Sequence, residues 1–353
     1  MKVLLIGPHK SLNGGVASVS QDLLESFESD PDVSLIELST IYTEKKLFYP
    51  INFLVFFIQL IWLSINNRFD LAHIHLASKG SAFRKVIVMA LLCMLSKKYL
   101  VHLHGGKFNE FYLNLPKITA FIVKYYMRRA IYVVALSKSW ENWISEFMHL
   151  QNTRIISNGS HSAKRHINSP ILKKKPVCLF GGRLEGRKGP EELLFACSIS
   201  PLKGNIKIWF AGDGIDVYYK ALAKKLGIIE DCEFFGWMPK EEYYQKLNQA
   251  DVFILPSFAE GMPMSIIEAM SAGIPSISTI VGGIPELIQS GKTGILVEPG
   301  NILALHNAIK KFFETPCSST IMSKACKEEY TKNFTVDKMF FSFKSLYIET
   351  LTK

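Results

Sequence analysis

Short apolar runs alternate with longer amphipathic segments along most of the chain. The runs are Val3–Ile6, Val33–Leu38, Asp70–His75, Tyr99–Leu103 and Ile131–Leu136, then Val177–Phe180, Ile206–Ala211, Glu233–Phe235, Val252–Leu255, Ile274–Ser278 and Ile295–Val297. Between them, helical spacing predicts helices over Val16–Phe27, Phe83–Leu95, Ile118–Arg129, Glu191–Ser198, Val217–Leu226, Glu242–Ala250 and Met264–Ala272. Strand–helix alternation with Val/Ile-rich strands argues for parallel sheets covered by helices on both faces. The pattern runs twice. It breaks near Asn168–Pro176, where two prolines bracket a triple Lys, so this stretch reads as an interdomain linker. The expected domains are therefore 1–168 and 169–335, with a last helix in 336–353 marked by Met339, Phe340, Phe343, Leu346, Tyr347 and Leu351 at helical spacing. A length of 353 residues suits two domains.

Two apolar stretches need separate reading. The N-terminal apolar run is short and ends at Gly7-Pro8, which suits a buried first strand and not a signal peptide. The segment Leu47–Ile65 has an apolar core, Phe53–Ile65, of 13 residues interrupted by Gln59. A spanning helix needs about 20. A buried core helix is the expectation here, with a helix that touches a membrane surface as the second reading.

Composition excludes some classes. Apolar residues make up 48% and charged residues 20%, enough apolar surface to rule out a disordered chain. The 23 Gly follow no Gly-X-Y repeat, so a fibrous protein is excluded. Six Cys at 93, 178, 197, 232, 317 and 326 form no C-x-x-C, which argues against a zinc knuckle and suits a reducing compartment. The net charge of +10 is uneven: residues 1–165 hold 19 basic and 11 acidic side chains, residues 166–353 hold 22 and 20. A basic first half attracts phosphate in nucleic acid, anionic lipid or a diphosphate, or is simply a solvated surface. The sequence carries no RRM, KH or helix-turn-helix signature, so nucleic-acid binding is not expected.

The chemistry-bearing residues sit where strands should end. The first strand leads through Asn13-Gly14-Gly15 into a helix, where paired glycines let backbone N–H groups approach an anion or simply make a tight turn. The second half opens with Phe180-Gly181-Gly182-Arg183-Leu184-Glu185-Gly186-Arg187-Lys188-Gly189. A glycine-rich loop with three cations at a strand's carboxyl end suits a diphosphate: Arg183 offers a forked donor and Lys188 a point charge. Further on, Glu260 follows a strand, and Glu268 lies eight residues later in a predicted helix. Just over two turns separate them, so a helix starting near Met262 puts both on one cleft, where carboxylates accept hydrogen bonds from sugar and ribose hydroxyls. The N–H groups of Gly261, Met262 and Met264 would be free at that helix start, while Pro263 has none. A metal reading also exists, since His73-x-His75 and His102-x-His104 each put a pair on one strand face. No carboxylate or Cys stands close to them in sequence, and buried imidazoles in sheets commonly hydrogen-bond each other.

Taken together, Gly181-Gly182-Arg183 with Lys188-Gly189, Ala211-Gly212-Asp213-Gly214, Phe235-Gly236, the Glu260-x7-Glu268 pair, Gly282-Gly283-Ile284-Pro285-Glu286 and Gly294 resemble the retaining glycosyltransferases of family 4. The resemblance is dense over 180–300 and looser before 165. There Asn13-Gly14-Gly15, His104 and Asn158-Gly159 match, but Ser160-His161 stands where Ile or Val then Asp is usual. It implies the GT-B fold: two doubly wound Rossmann-like domains with parallel sheets facing a central cleft, the first binding the acceptor and the second the donor, with the last helix crossing back to the first domain. It further implies that Arg183 and Lys188 hold the donor diphosphate, that Glu268 bonds the ribose, and that Glu260 and the amides at 261–264 hold the transferred sugar. Gly14, Gly15 and Gly182 would also approach the donor, Trp237 and Met238 would flank its base, and His104 would reach its sugar. No metal and no cofactor are implied, and a UDP-sugar is the default donor. Many such enzymes extend lipid-diphosphate-linked saccharides for surface polysaccharides. With the basic, apolar first half, this suggests a peripheral enzyme on the anionic inner face of the cytoplasmic membrane. Two alternatives stay open: a sugar-nucleotide epimerase on the same fold, and a non-catalytic sugar-nucleotide-binding partner.

Overall fold

A computed structural model describes residues 1–9, 12, 14–41, 49–163 and 175–351. The predicted linker falls largely outside these residues, as do Asn13 and Lys45-Lys46. By packing, the chain divides into two compact units, Met1–Gly159 with Val336–Lys353 and Ser160–Thr335. The second unit begins at Ser160, short of the expected 169. There the Ser160 N–H donates to the Phe334 carbonyl at 3.0 Å, and the Tyr330 hydroxyl donates to the Ser160 carbonyl at 2.8 Å.

The first unit runs β1 (Lys2–Pro8), α1 (Gly15–Phe27), β2 (Ser34–Ile41), α2 (Tyr49–Ile65), β3 (Leu71–Leu76), α3 (Gly80–Met94), β4 (Tyr99–Leu103), α4 (Phe108–Leu113), α5 (Lys117–Arg128), β5 (Val133–Ala135), α6 (Lys138–Met148) and β6 (Thr153–Ile155). Its six strands are parallel, in the order β2-β1-β3-β4-β5-β6. Val3, Leu4, Leu5 and Ile6 are all buried, because helices cover both faces of the sheet. The sequence pattern did not predict β6, α4 or α6: β6 is a three-residue edge strand, and α6 begins at a Ser137 cap whose side chain accepts from the Trp140 N–H.

The second unit runs β7 (Val177–Gly181), α7 (Pro190–Cys197), β8 (Lys207–Ala211), α8 (Asp216–Leu226), β9 (Cys232–Gly236), α9 (Lys240–Gln249), β10 (Val252–Leu255), α10 (Met264–Ser271), β11 (Ser276–Thr279), α11 (Ile284–Leu287), β12 (Gly294–Val297), α12 (Ile302–Glu314) and α13 (Pro316–Asn333). Its sheet is also parallel, in the order β12-β11-β10-β7-β8-β9. The last helix, α14 (Val336–Leu351), packs within the first unit. Phe340 meets Phe27 of α1 with ring centroids 4.6 Å apart, and Lys344 bridges Asp30 and Asp32 at 2.7 Å each.

Each sheet has one point where strand order reverses: between β1 and β3 in the first, between β7 and β10 in the second. In open parallel sheets the crevice for ligands lies outside the carboxyl ends of the strands at that point.

One expectation fails. The 49–65 helix is not a buried core helix. Phe56 and Leu60 enter the core, but Ile51, Leu54, Val55, Ile58, Trp62 and Ile65 face outward. The cause is position: one face of α2 packs on the sheet, and among the described residues nothing covers the other.

At the carboxyl ends of β3 and β4, four imidazoles form a stack. His73 Nδ1 bonds the Tyr347 hydroxyl of α14 at 2.6 Å, His73 Nε2 bonds His102 Nδ1 at 3.2 Å, and His75 Nδ1 bonds His104 Nε2 at 2.6 Å. Nitrogens of His73, His75 and His102 lie within 4.8 Å of one another, but four of these rings' six nitrogens already serve the hydrogen bonds just given. Burial holds His73, His75 and His102 well below the ordinary histidine value, helped by the charge of neighbouring rings, and brings His104 down to about 3. Once unfolded, these rings take up protons below a pH of about 6.5. The stability they contribute is therefore complete above that pH and is lost as pH falls below it. Between about pH 7 and about pH 5 the denaturant midpoint of the first unit should fall, each ring adding up to about 1.4 kcal/mol per pH unit. His102→Phe should flatten the slope, and a wild-type midpoint constant over this range contradicts the assignment.

Candidate functional site

The reversal point of the second sheet gathers the residues singled out by sequence. β7 ends at Gly181, and the chain turns through Gly182 (φ +149°) into a short 3-10 turn, Gly186–Lys188. Gly189 (φ +75°) then opens α7, with Pro190 in its first turn. β10 ends at Leu255, and its loop carries Ser257 and Glu260 before α10 begins. The two loops are tied together: the Phe258 N–H donates to the Arg187 carbonyl at 2.8 Å, and Arg187 Nη1 donates to the Ala259 carbonyl at 2.9 Å.

Glycines make this close approach possible. A Cβ at Gly189 would lie 2.1 Å from the Pro256 carbonyl oxygen, and one at Gly282 (φ +53°) would lie 1.8 Å from the Glu260 carbonyl oxygen. A side chain at 189 pushes the two loops apart, and one at 282 pushes the loop after β11 off the Glu260 loop.

At the centre is an ion pair. Lys188 Nζ donates to Glu260 Oε1 at 2.6 Å, and the Ser257 hydroxyl donates to the same oxygen at 2.8 Å. The side chains of Lys188 and Glu260 are only 14% and 6% exposed. Arg187 Nη1 stands 3.7 Å from Glu260 Oε2. The carboxylate is thus faced by two cations, and the lysine lies beside the Gly182 backbone, where a Cβ would meet its stem at 3.8 Å. Buried charges persist only when paired and hydrogen-bonded, and this pair satisfies both conditions.

Arg183 takes a different place. It is half exposed and pairs with Asp213 after β8, Nε and Nη2 each 3.3 Å from a carboxylate oxygen. Such an exposed pair is easily exchanged for an incoming anion. Trp237 and Met238 follow β9 one strand further along, with Trp237 exposed. Helix α10 starts at Met264, as the helical spacing over Met264–Ala272 predicts, with Pro263 in extended backbone as its N-cap. Glu260 is therefore a loop residue and only Glu268 is on the helix; Gly261, Met262 and Met264 are buried around a helix end that no side chain caps. Gly14, Gly15 and His104 belong to the first unit, Gly14 as the N-cap of α1 and His104 just past β4.

Sequence reasoning missed Ser257, Asp213 and Tyr243 as partners. The Tyr243 hydroxyl on α9 is buried without a hydrogen-bond partner among the described residues, and a Cβ on Gly181 would sit 2.5 Å from it. Burial and then the nearby Glu268 charge push its pKa well up, so Glu268 and Tyr243 are neighbours. Ser257 could have been found as the residue three before Glu260 in the same loop; Tyr243 leaves no local signal, because its place depends on α9 bringing it to Gly181 at the end of β7.

Residues 162–332 match the family described as glycosyl transferases group 1. A protein encoded in the cps region of Klebsiella pneumoniae is 23% identical over 365 residues, covering 96% of this chain and 97% of that one. The lipopolysaccharide 1,6-galactosyltransferase of Escherichia coli is 30% identical over 194 residues, 53% of this chain and 54% of its own. The Klebsiella protein apart, the chain spans between about a third and about half of the curated relatives it matches. Among solved structures, sucrose-phosphate synthase from Thermosynechococcus elongatus aligns over 99% of both chains with a TM-score of 0.83 at 20% identity. HepE of Anabaena in complex with UDP-glucose aligns over 99% of this chain and 100% of its own, with a TM-score of 0.80 at 18% identity. These likenesses give both units the GT-B fold.

Proposed function

We propose, because the chain belongs to the group 1 glycosyl transferases, that it moves a sugar from a nucleoside-diphosphate donor to a saccharide acceptor with retention of configuration. The observation that carries this reading is the Lys188–Glu260 pair at the reversal point of the second sheet. The second unit takes the donor. Lys188 and Arg183 turn to the diphosphate, each giving up a carboxylate partner for a phosphate oxygen. Glu260, released from Lys188, accepts hydrogen bonds from the sugar's hydroxyls, and Glu268 from the ribose. The Gly261–Met264 backbone faces the sugar, Gly182 lets the diphosphate approach the backbone, and Trp237 with Met238 flanks the base. From the first unit, Gly14 and Gly15 serve the donor and His104 its sugar.

In the reaction the bond from the anomeric carbon to the donor phosphate breaks, and a bond from the acceptor oxygen forms on the same face. The nucleoside diphosphate leaves with the bonding pair, and the acceptor's proton passes to the departing phosphate oxygen. The two cations stabilise the charge that grows on that phosphate, the role a metal plays elsewhere. The UDP-glucose held by HepE supports a UDP-sugar as donor.

The direct test is incubation with UDP- and GDP-sugars and detection of a new glycoside. Arg183→Ala and Lys188→Ala should each lower turnover about a hundredfold with the fold intact, the loss of about 3 kcal/mol of transition-state stabilisation. Near-normal kinetics in both variants removes the clamp.

The acceptor is lipid-linked, and the enzyme works at the inner face of the cytoplasmic membrane in surface-polysaccharide synthesis. The relatives from the cps region and from lipopolysaccharide synthesis support the pathway class. The first unit supports the membrane. Helices α2, α3 and α5 share one core on the same sheet face, and their outer sides expose Trp62 (55%), Met94 (81%), Ile118 (76%) and Phe121 (66%). Arg68 lies 5.9 Å over Trp62, and Arg129 lies 5.4 Å over Tyr125. Exposed apolar side chains with basic neighbours suit an anionic bilayer, each cation adding about 1 kcal/mol. Among the described residues no helix is long and apolar enough to cross a membrane. The protein should float with anionic liposomes at low salt and release at high salt; no binding to anionic vesicles at low salt overturns the membrane claim.

A further inference from the structure

The reversal point of the first sheet holds a buried cation that nothing above has used. Lys85 of α3 is 2% exposed, among the largest fully buried side chains of the protein. Its ammonium has one partner among the described residues, the Thr40 hydroxyl at 3.0 Å, and that partner is neutral. Thr40 in turn donates to the Gly7 carbonyl at 3.2 Å. Gly7 is near the end of β1, Thr40 near the end of β2 and His75 near the end of β3, so Lys85 reaches the point where strand order reverses between β1 and β3.

His75 completes the cluster. Its Cδ2 would lie 3.3 Å from a Cβ on Gly7, its Nδ1 is bonded to His104, and its buried Nε2 has no partner among the described residues. Among the described residues the charged and titratable groups that face Lys85 are Arg84 beside it on α3 and His75 on β3, neither of them acidic. A buried ammonium with three donors, one neutral acceptor and a second cation alongside is costly. Burial, then Arg84, pull its pKa well down. An anion arriving at this crevice relieves that cost and finds a second donor in the imidazole of His75.

We propose that Lys85, with His75 and Thr40, binds a phosphate group of the acceptor at the carboxyl edge of the first sheet. The assignment deepens the transferase reading by giving the acceptor its anionic group and the residues that hold it. The unbranched stem of Lys85 lets the ammonium turn from Thr40 to a phosphate oxygen. His104, bonded to His75, is coupled to the same occupancy.

The test uses the full chain saturated with UDP and titrates inorganic diphosphate by calorimetry. Wild type should bind one diphosphate. Lys85→Met should weaken diphosphate binding at least tenfold, with UDP affinity unchanged. Farnesyl diphosphate is the second probe: a Lys85-dependent gain over inorganic diphosphate assigns the group to a lipid-linked acceptor, and equal affinity assigns it to a soluble phosphorylated saccharide. Equal diphosphate affinity in wild type and Lys85→Met overturns the proposal. Should the variant not fold, absence of diphosphate binding by the UDP-saturated wild type overturns it as well. Failure of UDP to bind at all would sink the transferase reading instead, and the titration without UDP would still judge Lys85.

Discussion

The second unit turns on one constraint: a lysine and a glutamate share a nearly closed space, and each is needed to keep the other charged. Lys188 and Glu260 come from loops 72 residues apart in sequence, and they meet at 2.6 Å where Gly189 lets the two loops approach closely. Taking two charges out of water costs several kcal/mol per ion, so the pair does not exist for stability. In the proposed function it holds two groups that a diphosphate and a sugar separate and use. A nucleotide sugar supplies both replacements at once, an anion for the lysine and hydroxyl donors for the glutamate. A free nucleotide supplies only the first. The closed pair thus favours the intact donor over its product.

Much of this was legible in the sequence, for local reasons. Val/Ile-rich runs such as Val252–Leu255 emerge as strands because both faces of a parallel sheet are buried, which leaves no alternation to misread. Glycine with cations at a strand's end marked the loop at 182–189, since such a turn has few other uses. What was not legible depends on tertiary contact. The exposed face of α2 has the same composition as a core face, and only its position on the sheet decides which side meets water. The Lys188–Glu260 bond itself was hidden: the sequence gives each residue a separate ligand and no hint that each is first the other's partner.

The first unit follows different physics. Its sheet ends carry neutral imidazoles and a buried lysine, while its outer helices carry apolar side chains into solvent. A core built for stability alone would replace His73, His102 and Lys85 with aliphatic residues and would not expose Trp62 or Phe121. Both features suit a unit whose ligand is part apolar and part phosphate, and they lie in the half of the chain that carries most of the net positive charge.

The most direct test of the paired-charge account is the affinity of Glu260→Gln for two ligands, UDP and the sugar nucleotide the enzyme turns over. With the carboxylate neutralised, Lys188 no longer has to leave an ionic partner to meet the diphosphate. The account predicts that UDP binds at least as tightly as to wild type, while the sugar nucleotide binds at least about tenfold more weakly, the loss of about 1.4 kcal/mol. Equal weakening of both ligands would contradict it, because Glu260 would then act by holding the loops together and not by exchanging its lysine for the sugar.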